Sequence, residues 1–301
     1  MVASFARIAR SNPFAFPGRA PQLNVRHPAA VGDRVLGQGL RLAAVCCPNG
    51  GVGNNRVAFL DLASNKTSAW LGGTGGQLIN TDIGPCSIPN AGSNGPGPLF
   101  PALFASEVQV YGITLAVICQ VRNTVTGSGL INIDSVSSGT KIEIGIQPSI
   151  RFMWSGGSNF AVGSFQWPTL NVVGRSYFAV ASYRCTGVAG FNNPRSSGVL
   201  VDLTTGQTWL GTNGTAMTAS TLANSGPASY SVCTYGPTGT PDLTRLAAAA
   251  ISMNYLSQEQ LFAWAKDPWS LWYAPQSTLG SRMVPAVLAS SSNAPALMIG
   301  A

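Results

Sequence analysis

Charge is what this chain has least of. Asp, Glu, Lys and Arg make up only 9% of its 301 residues, against about 25% in an ordinary soluble domain. A surface built from Ser, Thr, Asn, Gly and backbone is weakly protected against association, and a subunit surrounded by neighbours tolerates it better than a free monomer. Histidine is scarcer still. His27 is the single one, which leaves both a Ser/His/Asp triad and a histidine-rich metal site poorly supplied. Its expected role is packing or a backbone hydrogen bond. The six cysteines (Cys46, Cys47, Cys86, Cys119, Cys185 and Cys233) contain no CxxC pair, so a zinc site has no support. No apolar run is long enough to span a bilayer. Arg7, Arg10 and Pro13 interrupt "MVASFARIARSNPFAFPG" where a signal peptide needs an apolar stretch. The expectation is synthesis in the cytoplasm with reduced thiols and no membrane contact. The net charge is +7, but no Lys/Arg run of the nucleic-acid-binding type occurs, and no nucleic-acid partner is expected.

What the chain does have is apolar residues and turn formers. It is 45% hydrophobic, with 35 Gly and 20 Pro. Segments such as "LRLAAVCC" (40–47), "SEVQVYGITLAVICQVRN" (106–123), "TKIEIGIQP" (140–148) and "SYFAVASYRC" (176–185) are rich in Val, Ile and aromatics and end in Gly, Asn or Pro clusters. Ile142, Ile144 and Ile146 alternate on one strand face. "DLTTGQTW" predicts two strands turning at Thr204-Thr205-Gly206. Short strands at regular spacing, without βαβ alternation, predict an all-β sandwich or barrel. The Gly/Pro-rich stretch 72–98 is expected to be a loop with little regular structure.

One helix is predicted. Ser257 followed by Gln260 matches a capping box, Leu256 and Leu261 sit at the staple positions, and Pro268 ends the helix. Leu261, Trp264 and Ala265 then share a face suited to docking on the sandwich. Glu259 lies in its first turn, where a carboxylate suits the helix dipole.

The ends differ from the middle. Residues 1–22 place Phe5, Phe14 and Phe16 between Pro13, Pro17 and Pro21. Proline excludes regular structure there while the phenylalanines call for burial. Residues 276–301, "QSTLGSRMVPAVLASSSNAPALMIGA", are apolar, proline-interrupted and nearly uncharged, unlike disordered tails. Both read as extended arms covered by other molecules. The expected partner contacts are Arg7, Arg10, Phe14, Phe16 and Arg19 in the first arm. In the second they are Val284, Leu288, Leu297, Met298 and Ile299. The four arginines before Asp33 also fit a solvated basic arm.

The segment Ala250–Leu261, continued by Pro268-Trp269-Ser270-Leu271-Trp272, resembles the closing segment of LamG-like, concanavalin A-type jelly-roll domains found in bacterial and prophage virion-associated proteins. His27-Pro28 and Gly39-Leu40 resemble that family's opening strand, and "GITLAVICQVRN" resembles the strand that opens its core. The family's YvNG-like hairpin is replaced here by "LVDLTTGQTW". The resemblance spans about 23–275 and implies a two-sheet antiparallel jelly-roll sandwich with a short C-terminal helix. It divides the chain into an arm (1–22), a LamG-like domain (23–275) and a tail (276–301). It also implies that the helix plugs one edge of the sandwich and that Trp269 and Trp272 anchor the chain's exit.

Jelly rolls include glycoside hydrolases, which need two carboxylates about the scissile bond. The laminarinase-like relatives carry them as E-x-D-x-E, and none of Glu107, Glu143 and Glu259 has a carboxylate two residues away. LamG-like domains can hold calcium, but Asp61, Asp82, Asp134, Asp202 and Asp242 are isolated along the chain. No enzyme activity, metal or cofactor is therefore expected. Trp70, Trp154, Trp167 and Trp209 adjoin turn-like residues, where they either stack on sugars or cover the core's edges. The reading these observations favour is a structural virion protein of a tailed bacteriophage or phage-like particle. It would be a capsid decoration or head-fibre protein, assembled in the bacterial cytoplasm, docking by its termini onto other virion proteins and copies of itself. The alternative is an adhesin that binds host glycans.

Overall fold

Strand β8 explains the architecture of the rest. Its ten residues, Gly112–Val121, are all buried, so it has a hydrophobic layer on each face. In the computed structural model, Ile113, Leu115, Val117, Cys119 and Val121 point into one apolar cluster while Ala116 and Ile118 point into a second. That is why "GITLAVICQV" is a continuous apolar run: a strand covered on both sides has no polar face to alternate. The neighbouring strand Ser176–Arg184 divides in the same way, with Tyr177, Ala179, Ala181 and Tyr183 on one side and Phe178 and Val180 on the other.

The structure describes residues 12–18, 20–30, 39–48, 57–67, 69–70, 77–88, 98–100, 112–122, 128–134, 141–146, 150–156, 159–161, 165–167, 173–184, 195–213, 229–232 and 244–274. In chain order the strands begin with β1 (Leu40–Pro48), β2 (Val57–Asp61), β3 (Lys66–Thr67), β4 (Ala69–Trp70), β5 (Gln77–Thr81) and β6 (Gly84–Ile88). They continue with β7 (Pro98–Phe100), β8, β9 (Ser128–Asp134), β10 (Lys141–Ile146), β11 (Ile150–Gly156) and β12 (Asn159–Ala161). The last are β13 (Phe165–Gln166), β14 (Ser176–Arg184), β15 (Arg195–Asp202), β16 (Thr208–Asn213), β17 (Ser229–Val232) and β18 (Thr244–Ser252). Helix α1 spans Gln258–Ala265, and short 3-10 turns cover Pro28–Ala30 and Pro268–Leu271.

Two antiparallel sheets result. The first runs β16-β15-β14-β8-β18-β1-β2-β3, with the β5–β6 hairpin joined to β18. The second runs β12-β11-β10-β9-β17-β7-β4, with β13 beside β11. Leu130, Ile131, Ile144, Ile150 and Phe152 of the second sheet share a core with the inward face of β8, β14 and β18, which makes the fold a β-sandwich. The outer face of the first sheet carries the second cluster, formed with α1, the Pro28–Ala30 turn, residues 268–273 and the β5–β6 hairpin.

The hairpin corrects the loop expected at 72–98. Gln77–Thr81 pairs with Gly84–Ile88, turning at Asp82-Ile83. Gly84 adopts φ +84°, and Thr81 Oγ1 donates to the Gly84 carbonyl (3.0 Å). The adjacent Leu78 and Ile79 and the lone Cys86 give too short an apolar signal to stand out among the surrounding glycines and prolines. The hairpin expected at Thr204-Thr205-Gly206 does join β15 and β16, with Gly206 at φ +74°. Cys46, Cys86 and Cys119 are buried thiols.

Candidate functional site

The closing segment is positioned from the sheet outward. β18 ends at Ser252, and the chain crosses the end of β8 and β14 before α1. There Thr114 Oγ1 donates to the Asn254 carbonyl (2.7 Å), and Ser182 Oγ accepts the Leu256 amide (2.8 Å). Gly112 admits this crossing, since a methyl group on it would lie 2.8 Å from Tyr255 Cβ. Ser257 then caps the helix: its hydroxyl accepts the Gln260 amide (3.3 Å), and Gln260 Oε1 accepts the Ser257 amide (2.8 Å). Leu261, Trp264 and Ala265 are buried, as the spacing predicts. Trp264 Nε1 donates to the Pro268 carbonyl (3.2 Å), which folds the Pro268–Leu271 turn back beneath the helix.

Trp269 and Trp272 are fully buried, and Trp269 holds the other end of the chain. Its indole N–H donates to the Phe14 carbonyl (3.2 Å). The Phe16 ring meets Trp269 edge-on at 5.5 Å and Tyr273 at 5.8 Å. Both phenylalanines also sit on glycines that adopt positive φ at hairpin turns. A methyl group on Gly84 would lie 2.7 Å from the Phe16 ring, and one on Gly206 3.1 Å from Phe14. Side chains rarely tolerate that φ, so the turns present bare backbone on which aromatic rings rest. Each half-buried phenylalanine contributes roughly 1 kcal/mol of apolar burial.

Next to this seat the backbone itself is clamped. The Gln22 amide donates to the Trp272 carbonyl (2.8 Å), the Ala274 amide to the Gln22 carbonyl (2.8 Å), and the Asn24 amide to the Leu271 carbonyl (2.9 Å). This forms a parallel bridge between Gln22 and Tyr273. His27 completes the clamp. Its Nδ1 accepts the Ala29 amide (3.1 Å), and its ring packs at 4.4 Å, roughly perpendicular to Trp264. The proton of the neutral ring therefore sits on Nε2, which is buried with no hydrogen-bond partner among the described residues. Desolvation lowers its pKa from 6.5 to about 3.

The structure thus places Phe14 and Phe16 against the chain's own closing segment, where the sequence called for a neighbour. The boundary drawn at residue 22 runs through the clamp, which joins residues 12–24 to 269–274. Arg7, Arg10, Arg19, Val284, Leu288, Leu297, Met298 and Ile299 lie outside the described residues. The sequence carried a trace of the seat in two phenylalanines spaced two apart and two glycines at hairpin turns. It held nothing to pair them.

Two buried carboxylates, Asp61 and Asp202, serve turns. Asp61 Oδ1 accepts the amides of Ala43 and Ala63 (2.9 Å each), and its Oδ2 accepts the Ser64 hydroxyl (2.6 Å). Asp202 Oδ1 accepts the Thr204 amide (2.8 Å), and its Oδ2 meets Arg175 Nη1 at 2.8 Å. Asp82, at the β5–β6 tip, accepts from Gln120 Nε2 (3.1 Å) and Ser176 Oγ (3.0 Å), pinning the hairpin to the sheet. Among the described residues no three His, Cys, Asp or Glu side chains gather where they could hold a metal. Of the tryptophans considered for sugar stacking, Trp167 is buried in the inter-sheet core and donates to the Gly198 carbonyl (3.3 Å). Burial removes it from that role. Trp209 packs half-buried against the same core, and the side chains of Trp70 and Trp154 lie outside the described residues.

Fold and clamp together define an antiparallel β-sandwich in which residues 12–24 are fastened to residues 269–274. No protein-family model matches the chain, and no curated protein does. Among solved structures, similarity extends to Trypanosoma rangeli sialidase (TM-score 0.41, 13% identity, 76% of this chain and 33% of that one). It extends also to the binding domain of botulinum neurotoxin serotype D (0.45, 12%, 76% and 51%). A third is a protein of unknown function from Shewanella oneidensis MR-1 (0.40, 13%, 72% and 87%). The chain spans about a third of the sialidase and half of the toxin domain. At these scores and identities no family and no activity follow for this chain.

Proposed function

We propose that this chain is a non-enzymatic structural protein of a tailed bacteriophage or phage-like particle, a jelly-roll module that decorates the head or forms a head fibre. The observation that carries the reading is the clamp. Because Gln22 pairs with Trp272 and Ala274, and Phe14 with Trp269, residues 1–11 and 275–301 join the described fold at one corner. The first carries Arg7 and Arg10, and the second is apolar and nearly uncharged. A module fastened to neighbours from one corner projects the remainder of its sandwich away from them, which is the geometry a decoration or head fibre needs. The setting comes from the resemblance of the closing segment to LamG-like virion proteins. The helix lies on the outer face of the first sheet, against β14 and β15, rather than plugging an edge as the resemblance implies, while Trp269 and Trp272 are buried beside it where the chain leaves the sandwich. The turn-bound state of Asp61 and Asp202 supports a scaffold over a catalyst.

The test is incorporation. Full-length chain and versions lacking residues 1–11 or 275–301 are produced in the host cell and followed on density-purified particles. Full-length protein is expected to co-sediment. Each deletion should lower incorporation about tenfold or more, the change that losing about 1.4 kcal/mol of contact produces. Particle association undisturbed by both deletions would overturn the reading. So would absence from particles combined with retention on a glycan array, which would identify the adhesin instead.

A further inference from the structure

Residues 12–17 close on themselves before they touch anything else. Asn12 Oδ1 accepts the Phe14 amide (2.9 Å), and the Asn12 carbonyl accepts the Ala15 amide (3.3 Å). Pro13 fixes φ between them, as a turn of this kind favours. The turn satisfies its own backbone and presents Phe14 and Phe16 in a preset frame. What it contacts on the body is the Trp269 indole N–H, the rings of Trp269 and Tyr273, and the bare backbone at Gly84 and Gly206. None of these contacts depends on which molecule delivers the turn.

The link back to the body is slight. Gly18 and Ala20 are exposed, and Gly18 adopts φ +65° with nothing within 4 Å of where a side chain would begin. Pro17 and Pro21 bracket this link and fix φ at its two ends. Backbone pairing with the closing segment starts only at Gln22.

We propose that the seat is an exchange site that takes residues 12–17 from a second copy of this chain. Neighbouring molecules would then be linked by reciprocal transfer of the phenylalanine turn. A second copy is the occupant the observations favour, because it supplies an identical turn and reproduces every contact without new chemistry. The turn's own tether competes at an effective concentration of about millimolar. The closed form therefore prevails in dilute solution, and the exchanged form is populated where copies crowd together. The inference deepens the reading above by naming a partner for the N-terminal side. It draws only its setting from that reading, since exchange is a property of the purified chain.

Removing residues 18–20 takes at most about 10 Å from the link, and the shortened turn is expected to reach a neighbour's seat more readily than its own. Light scattering coupled to size exclusion should show the wild type monomeric at micromolar concentration and the shortened chain dimeric or larger. Phe14→Ala with Phe16→Ala should return the shortened chain to monomer. A shortened chain that stays monomeric, or self-associates regardless of the two phenylalanines, would overturn the proposal. Should shortening prevent folding, a labelled peptide of residues 12–18 is titrated onto full-length protein carrying Phe14→Ala and Phe16→Ala. Saturable binding that disappears with an added Gly84→Val supports exchange, and no binding up to millimolar peptide refutes it. Particle incorporation is read separately, so either idea can fail without the other.

Discussion

His27 packs on Trp264 at the junction of the N-terminal segment and the helix, and only its neutral form suits that place. The unfolded chain takes up a proton near pH 6.5, whereas the folded chain resists until about pH 3. Between those values the unfolded state holds more protons, so stability rises with pH. The contribution is complete above pH 6.5 and is lost as pH falls toward 3, at about 1.4 kcal/mol per unit. Denaturant melts at pH 7.0 and pH 5.5 should therefore differ by roughly 1 kcal/mol, a window above the range where carboxylates titrate. In His27→Phe the difference should vanish. An undiminished slope in that variant would show that another group is responsible.

Among the elements, α1 depends on its cap more than most helices do. At eight residues it is too short to persist by propensity, and its entry is fixed by the reciprocal Ser257–Gln260 bonds. Ser257→Ala should cost about 1 kcal/mol, measured by chemical denaturation, with the β-sheet signal in circular dichroism retained. Because the helix carries Trp264 and leads into Trp269, the same substitution should increase hydrogen exchange at Gln22 and Asn24. This helix was legible in the sequence because caps, staple and apolar face are local patterns read within a dozen residues. The strands around Leu115 and Val180 were legible for the same reason, as apolar β-branched runs. The β5–β6 hairpin was not, since Gly84 and Pro85 disguise a strand whose partner is also short. The docking of Phe14 over Gly206 could not be read either. It joins positions far apart in sequence through a glycine whose only signal is the lack of a side chain.

Across the whole molecule, the central strands of the first sheet are buried on both faces, and their outer cover is assembled from both ends of the described chain. Pairing of Gln22 with Tyr273 closes that cover and brings the two ends of the described chain together. Part of the chain's apolar content goes into this second core, where Phe178, Trp264, Trp269 and Trp272 are buried together. Phe14 and Phe16 pack half-buried on the chain's own closing segment, and the proposed partners belong to the flanks and to the exchange of that turn. Electron cryomicroscopy of particles containing the protein tests this most directly. Density connecting each module to its neighbours should enter at the Gln22–Tyr273 corner. Modules attached through the second sheet or the β16 edge, with that corner open to solvent, would contradict it.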